Sequence, residues 1–257
     1  MIDAAVRLLS LVNQLDATTK MVQLDFQDGD SGLHGYLDRM GFFDHLAPDV
    51  DVKPYRPEVS RATLHRGRNA GLVEIARINK DSRDDDLPKR MANVIARACQ
   101  DRTDVGSLTE AAWTVFAELV DNVFSHSQTR LDAFAALQVY RAGNKLSVAV
   151  SDSGLGILET LRPALEREHP VLHRLTDVDL LVEIFRQGVS RYGKDRGCGL
   201  KGSAAKAIKY RADLDIRLPE IRVLLSPGHG GYSVAHCFSE LPLLWGTHLS
   251  FAFRLDH

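Results

Sequence analysis

The sequence predicts an α/β chain of the α+β two-layer sandwich type, with helices covering a mixed, mostly antiparallel sheet behind a small α/β N-terminal unit. Three observations carry that expectation. Leu146, Val148 and Val150 alternate with Ser147, Ala149 and Ser151 after a turn at Ala142-Gly143-Asn144, and a strand in 131–140 precedes the turn, the pattern of a β-hairpin. A helical stripe of Leu108, Ala112, Val115, Phe116, Leu119 and Val123 stands just before that hairpin. Short apolar runs separated by glycines follow after residue 220.

In chain order, residues 1–15 space their apolar positions around Asp3 and Arg7 and read as an amphipathic helix rather than a signal peptide. A short strand is expected at 21–26, a helix at 32–46, a loop punctuated by Pro48, Pro54 and Pro57, and a strand at 72–78. The acidic run Asp84-Asp85-Asp86 suits a boundary or a helix N-terminus, where carboxylates meet the positive end of the dipole. Helix 91–100 follows. Ser107-Leu-Thr-Glu110 has the form of a capping box and predicts a helix over 107–126. Beyond 157, helices are expected near 173–187 and 200–211, and strands at 222–226, 232–236 and 248–254, the first two joined by Gly228-His229-Gly230-Gly231. The division expected is a small domain over 1–85 and a larger one over 86–257.

Composition narrows the function. With 32 Lys+Arg against 34 Asp+Glu, the net charge of −2 argues against a dedicated nucleic-acid binder. The cluster Arg61, His65, Arg66 and Arg68 reads as a solvated face. No apolar run approaches the roughly 18 residues of a membrane span. Cys99, Cys198 and Cys237 are far apart without CxxC spacing, so neither a disulfide framework nor a zinc site is expected, and the compartment reads as reducing and cytoplasmic.

Four motifs carry chemistry. Glu118, Asn122 and His126 fall at i, i+4 and i+8 on one helix face. Asn122 sits within the apolar stripe and must find partners there. It reads either as a core carboxamide bonded to backbone or as the wall of a ligand cavity. Asp152-Ser-Gly154-Leu-Gly156 follows a strand directly, as suits a backbone that a ligand approaches closely; a plain Asp-Ser-Gly turn is the alternative. The segment from Arg191 to Gly202 mixes glycines with Lys194, Arg196 and Lys201 ahead of a helix. It reads as an anion cradle or as a flexible basic loop. Its G-x-G-x-x-G letters do not make a dinucleotide site, because no hydrophobic strand precedes them, and a Walker A motif is absent from the sequence. Gly246-Thr247 opens the last strand.

Taken in order, Glu118–Asn122, Asp152–Gly156, Arg196–Leu200 and Gly246-Thr247 resemble the N, G1, G2 and G3 boxes of the GHKL ATP-binding superfamily, which includes sensor histidine kinases and anti-sigma serine kinases. Phe185 resembles the position just before the ATP lid. The resemblance spans about 104–255 and implies a Bergerat-type fold, ATP and Mg²⁺ as cofactors, and a protein partner. In it, Asn122 would give an oxygen to Mg²⁺ and Glu118 would polarise a water or hydroxyl. Asp152 would read the adenine amine, with Gly154 and Gly156 allowing close approach. Gly197, Gly199 and Leu200 would offer N–H groups to the phosphates, with Lys194, Arg196 and Lys201 adding charge, and Thr247 would join the cofactor site. His126 matches a position often basic in the family, or interacts with the helix C-terminus. Residues 188–200 would order around a triphosphate. The implied function is a regulatory slow ATPase or Ser/Thr protein kinase. The alternative is a non-catalytic module whose lid gates a partner surface. A small STAS-type module is the pattern suggested for residues 1–85, a homodimer is left open, and neither membrane nor nucleic acid is expected as a partner.

Overall fold

Apolar residues alternate along the middle strands, and that alternation sorts side chains onto two faces that helices then cover. A computed structural model describes residues 1–26, 32–79, 84, 86–126, 128–187 and 198–255. Its elements are α1 (Ile2–Ala17), β1 (Gln23–Asp25), α2 (Leu33–Met40), β2 (Asp51–Lys53), α3 (Arg61–His65), β3 (Leu72–Ile78), α4 (Leu87–Ala98) and α5 (Val105–His126). Then come β4 (Ala133–Tyr140), β5 (Lys145–Ser151), α6 (Ile157–Glu168), α7 (Pro170–His173), α8 (Asp177–Gln187) and α9 (Cys198–Lys209). The remaining strands are β6 (Asp213–Arg217), β7 (Arg222–Gly228), β8 (Gly231–Phe238) and β9 (His248–Arg254).

The fold is an α+β sandwich. The large sheet has the order β3-β4-β5-β9-β6-β7-β8, and every neighbouring pair in it is antiparallel. The parallel pairing sits apart, between β1 and β2. One face of the sheet carries Leu137, Val148, Val150, Leu214, Val223 and Phe251 against α4, α5, α6, α8 and α9. The other face, over β3–β5, carries Ile75, Phe134, Ala136 and Ala149 and is covered by α1 and the aromatic residues after α2. That half of the sheet is therefore buried on both sides, so a third layer joins the two expected. Strand β3 lies before the boundary expected at residue 85, yet it pairs with β4 as an edge of the large sheet. Among the described residues, no helix is long and apolar enough to cross a membrane.

Several elements differ from expectation for identifiable reasons. The helix expected over 32–46 stops at Met40, because Gly41 takes φ +76° and the Phe42 amide turns back to the Leu37 carbonyl at 3.0 Å. Helix α5 starts two residues early, with Leu108 N donating to Asp104 O at 3.0 Å. Ser107 thus lies inside the helix, and Glu110 reaches Lys206 at 2.8 Å instead of closing a capping box. Helix α4 starts at Leu87, with Pro88 in its first turn where a missing N–H costs nothing. Helix α6 is not among the expected elements, and it carries Pro163 in its interior, where proline is unfavourable. Burial of Ile157, Leu158, Leu161 and Leu165 outweighs that penalty. Strand β6 was also missed. Its sequence DLDIR offers only Leu214 and Ile216 to the core, between charged residues.

Candidate functional site

Strand β5 delivers Asp152 to the end of the sheet, where the carboxylate is only 6% exposed. Its Oδ1 accepts the Gly154 amide at 2.8 Å and its Oδ2 accepts the Thr247 amide at 3.2 Å. The Asp152 amide in turn donates to Thr247 O at 3.1 Å. The Thr247 hydroxyl accepts the Ile157 amide at 2.9 Å, which serves an otherwise unpaired N–H in the first turn of α6. Two glycines permit this knot. Gly156 turns the chain into α6 at φ +93°, and Gly246 holds φ +98° so close to Asp152 that a Cβ would stand 2.0 Å from the Asp152 carbonyl oxygen. The structure thus brings together Asp152, Gly154, Gly156 and Thr247 from positions about 90 residues apart.

Helix α5 supplies the opposite wall. Leu119 and Asn122 face Asp152, Ile157, Thr247 and Leu249 across a cavity of about 20 Å³, room for roughly one water molecule. Asn122 Nδ2 is buried there with no hydrogen-bond partner among the described residues. One turn back, the half-buried Glu118 carboxyl is held above its ordinary range, first by burial and then by the charge of Asp121. The Asn122 amide is near enough to pull the other way, although its Nδ2 makes no hydrogen bond of normal geometry.

Behind this cluster, on the α1 side of the sheet, lies a buried polar network that the sequence reading missed. Gln14 Nε2 donates to Ser153 Oγ and to Trp245 O, both at 2.9 Å, while Gln14 Oε1 accepts the Trp245 amide at 3.0 Å. Ser10 Oγ meets Ser151 Oγ at 2.9 Å, and Ser151 continues to His248 Nδ1. His248 Nε2 reaches Trp245 O at 3.0 Å. Burial, with Arg7 adding to it, pushes the His248 ring down to about 3, so it is neutral near pH 7. The available signal was Ser10 and Gln14, spaced i, i+4 among the apolar residues of α1 that become buried.

Lys194, Arg196 and Gly197 fall outside the described residues, as does most of the segment 188–200 expected to order around a triphosphate. Gly199, Leu200 and Lys201 lie in the first turn of α9, where helix N–H groups lack intrahelical partners. Helix α9 thus begins two residues before the start expected near 200, which makes Gly199 helical as well. Helix α9 packs along α5, and the Lys201 side chain is exposed. The His126 side chain is outside the described residues. Phe185 is buried and packs edge-on against Tyr232, with centroids 6.4 Å apart. Cys99 and Cys237 are free thiols. A larger cleft, about 390 Å³, lies away from this cluster, between β3 and α4.

No family model matches this chain, and no curated protein matches it.

Proposed function

We propose that this protein binds Mg-ATP at the Asp152–Asn122 cluster and acts in regulation, as a slow ATPase or as a kinase that phosphorylates Ser or Thr of a partner protein. The observation that most supports this reading is the Asn122 amide, whose Nδ2 is buried and unpaired beside a buried carboxylate. An orphaned buried donor costs on the order of 1–3 kcal/mol, and a polar ligand would relieve that cost. The bound magnesium nucleotide would supply a polarised terminal phosphate.

The chain's own residues then divide the work. Carboxylate oxygens accept more than one hydrogen bond each, so the adenine amine can join the Gly154 and Thr247 amides on Asp152. Asn122 Oδ1 is a hard oxygen of the type Mg²⁺ takes, alongside phosphate and water. The first-turn amides of α9 suit phosphate. Glu118, with its carboxyl raised toward neutrality, is suited to accept a proton from water or a hydroxyl. A base needs more room than the present cavity, so Leu119, Ile157 and Leu249 must part to admit it. Free thiols at Cys99 and Cys237 suit a reducing, cytoplasmic setting.

Isothermal titration with Mg-ATP tests the reading. The parent chain should bind. Asp152→Asn should weaken binding at least tenfold, and Asn122→Ala should remove the Mg²⁺ dependence. No binding by the parent, or equal affinity in Asp152→Asn, overturns it.

A further inference from the structure

The cleft between β3 and α4 belongs to none of the chemistry above. Four arginines from three parts of the chain line it: Arg66 from the loop after α3, Arg77 from β3, and Arg90 and Arg97 from α4. On α4 the spacing Arg90, Asn93, Arg97 is i, i+3, i+7, so one helix face is turned to the cleft while Met91 and Ile95 enter the core. Two of the arginines have partners. Arg90 pairs with Asp84 at 2.8 Å, and Arg77 with Asp132 at 3.3 Å. Arg66 and Arg97 carry no ion pair among the described residues. Glu74, also in the lining, is 8% exposed and accepts Asn69 Nδ2 at 2.7 Å. Counting four arginines against Glu74 and Asp84, the lining is positive by two charges.

His45 adds a specific requirement. Its Nε2 donates to the Ile75 carbonyl at 2.8 Å, which leaves Nδ1 as an acceptor in the neutral ring. That Nδ1 is buried and has no partner among the described residues. Burial keeps the ring below its ordinary pKa, and the charges of Arg77 and Arg66 act in the same direction. The Ile75 bond and Asp44 oppose them. An anion between the arginines would cancel the effect of Arg66 and Arg77. An anion that also carries a proton would satisfy Nδ1.

We propose that this cleft binds a phosphate monoester, held by Arg66 and Arg97, with one proton taken up from solution and shared between a phosphate oxygen and His45 Nδ1. A phosphate monoester carries about −1.5 to −2 near pH 7, because its second pKa is near 6. It therefore offers the charge that two unpaired arginines match and an oxygen whose proton affinity is close to that of an imidazole, so that one proton can sit between the two. A carboxylate or a sulfate ester is fully deprotonated at that pH and leaves Nδ1 unserved. The cleft volume, about 390 Å³, is that of a small-ligand site. The phosphate could belong to a free metabolite or to a phosphorylated side chain, and both present the same group.

The test uses the full chain with isotope-labelled histidine. His45 is assigned through His45→Gln, whose amide keeps a donor for Ile75 O. Inorganic phosphate, glycerol phosphate and a short phosphoserine peptide are each titrated against sulfate, with the His45 ring resonances read by NMR. Phosphate ligands should shift the His45 signals and raise its pKa, with sulfate at least tenfold weaker. The tightest of the three phosphates identifies the source. The double variant Arg66→Gln, Arg97→Gln should lose at least tenfold in affinity while its melting temperature, taken without phosphate, is unchanged. Asp152→Asn should respond like the parent. Equal response to sulfate, unchanged affinity in the arginine variant, no response at His45, or loss of the response in Asp152→Asn overturns the proposal. The outcome is independent of whether the chain binds ATP.

Discussion

Gly246 shows how much a single residue is asked to do at this site. Any side chain there would meet the Asp152 carbonyl at 2.0 Å and would also have to adopt φ +98°. Gly246→Ala should therefore cost about 3 kcal/mol or more, a value reserved for strain and overpacking at special backbone positions. Gly230→Ala, in the β7–β8 turn with nothing within 4 Å, should stay within about 0.5 kcal/mol. Thermal denaturation of the two variants side by side checks the contrast. Glu118→Ala separates binding from chemistry. Nucleotide affinity should hold while phosphate release falls by about 10²-fold or more, the usual worth of a positioned general base. Unchanged turnover in that variant would leave the non-catalytic module as the better reading. Asn122 was legible as a carboxamide within an apolar stripe and Asp152 as an acid at a strand's end, while Thr247 was reached only through its place in the order of the four boxes. Gln14 was not, because its partners Ser153 and Trp245 lie 139 and 231 positions away.

Among elements, α1 is attached to the site as well as to the core. Gln14 bridges the turn after β5 and the segment before β9 from outside the sheet, beside the direct Asp152–Thr247 bonds. Gln14→Leu would leave the Ser153 hydroxyl and the Trp245 amide short of a partner, while Trp245 O keeps His248 Nε2. It should destabilise the protein by about 2–4 kcal/mol, summing partial losses of about 1–3 kcal/mol per unpaired group. Denaturant titration measures this, and a change below about 0.5 kcal/mol would show that water replaces the amide. Elements were most legible where one periodicity dominated, as in β3 and β9, whose observed bounds equal those expected. They were least legible where local preference and packing disagree, as in α6 with its internal Pro163. The same holds for β6, whose strand character comes from its two neighbours, β9 and β7.

For the molecule as a whole, His248 predicts an acid-sensitive stability. Its folded pKa near 3 lies below the ordinary 6.5. Between those values the unfolded chain binds one proton more than the folded chain. Stability is therefore full above about pH 6.5 and falls as the pH drops toward 3, by up to about 1.4 kcal/mol per pH unit from this ring. Denaturant titrations between pH 7 and pH 4 should show that slope, and His248→Gln should show a slope smaller by about one proton. Where the variant fails to fold, an NMR titration of the parent should find the His248 ring neutral down to pH 4.

The strand order has a consequence for how the molecule can be made. β9, the latest strand in the sequence, is hydrogen-bonded on both sides, between β5 and β6. A growing chain that has reached Gly246 can hold β3-β4-β5 as one ribbon and β6-β7-β8 as another, with nothing between them. The two ribbons can be stitched into one sheet only when the final strand slides into the gap, and Thr247 meets Asp152 in the same event. Synthesis from N- to C-terminus thus leaves the site unassembled until β9 has been made. A released chain truncated shortly before residue 248 would carry two unjoined half-sheets, each with an open inner edge of the kind that invites mispairing.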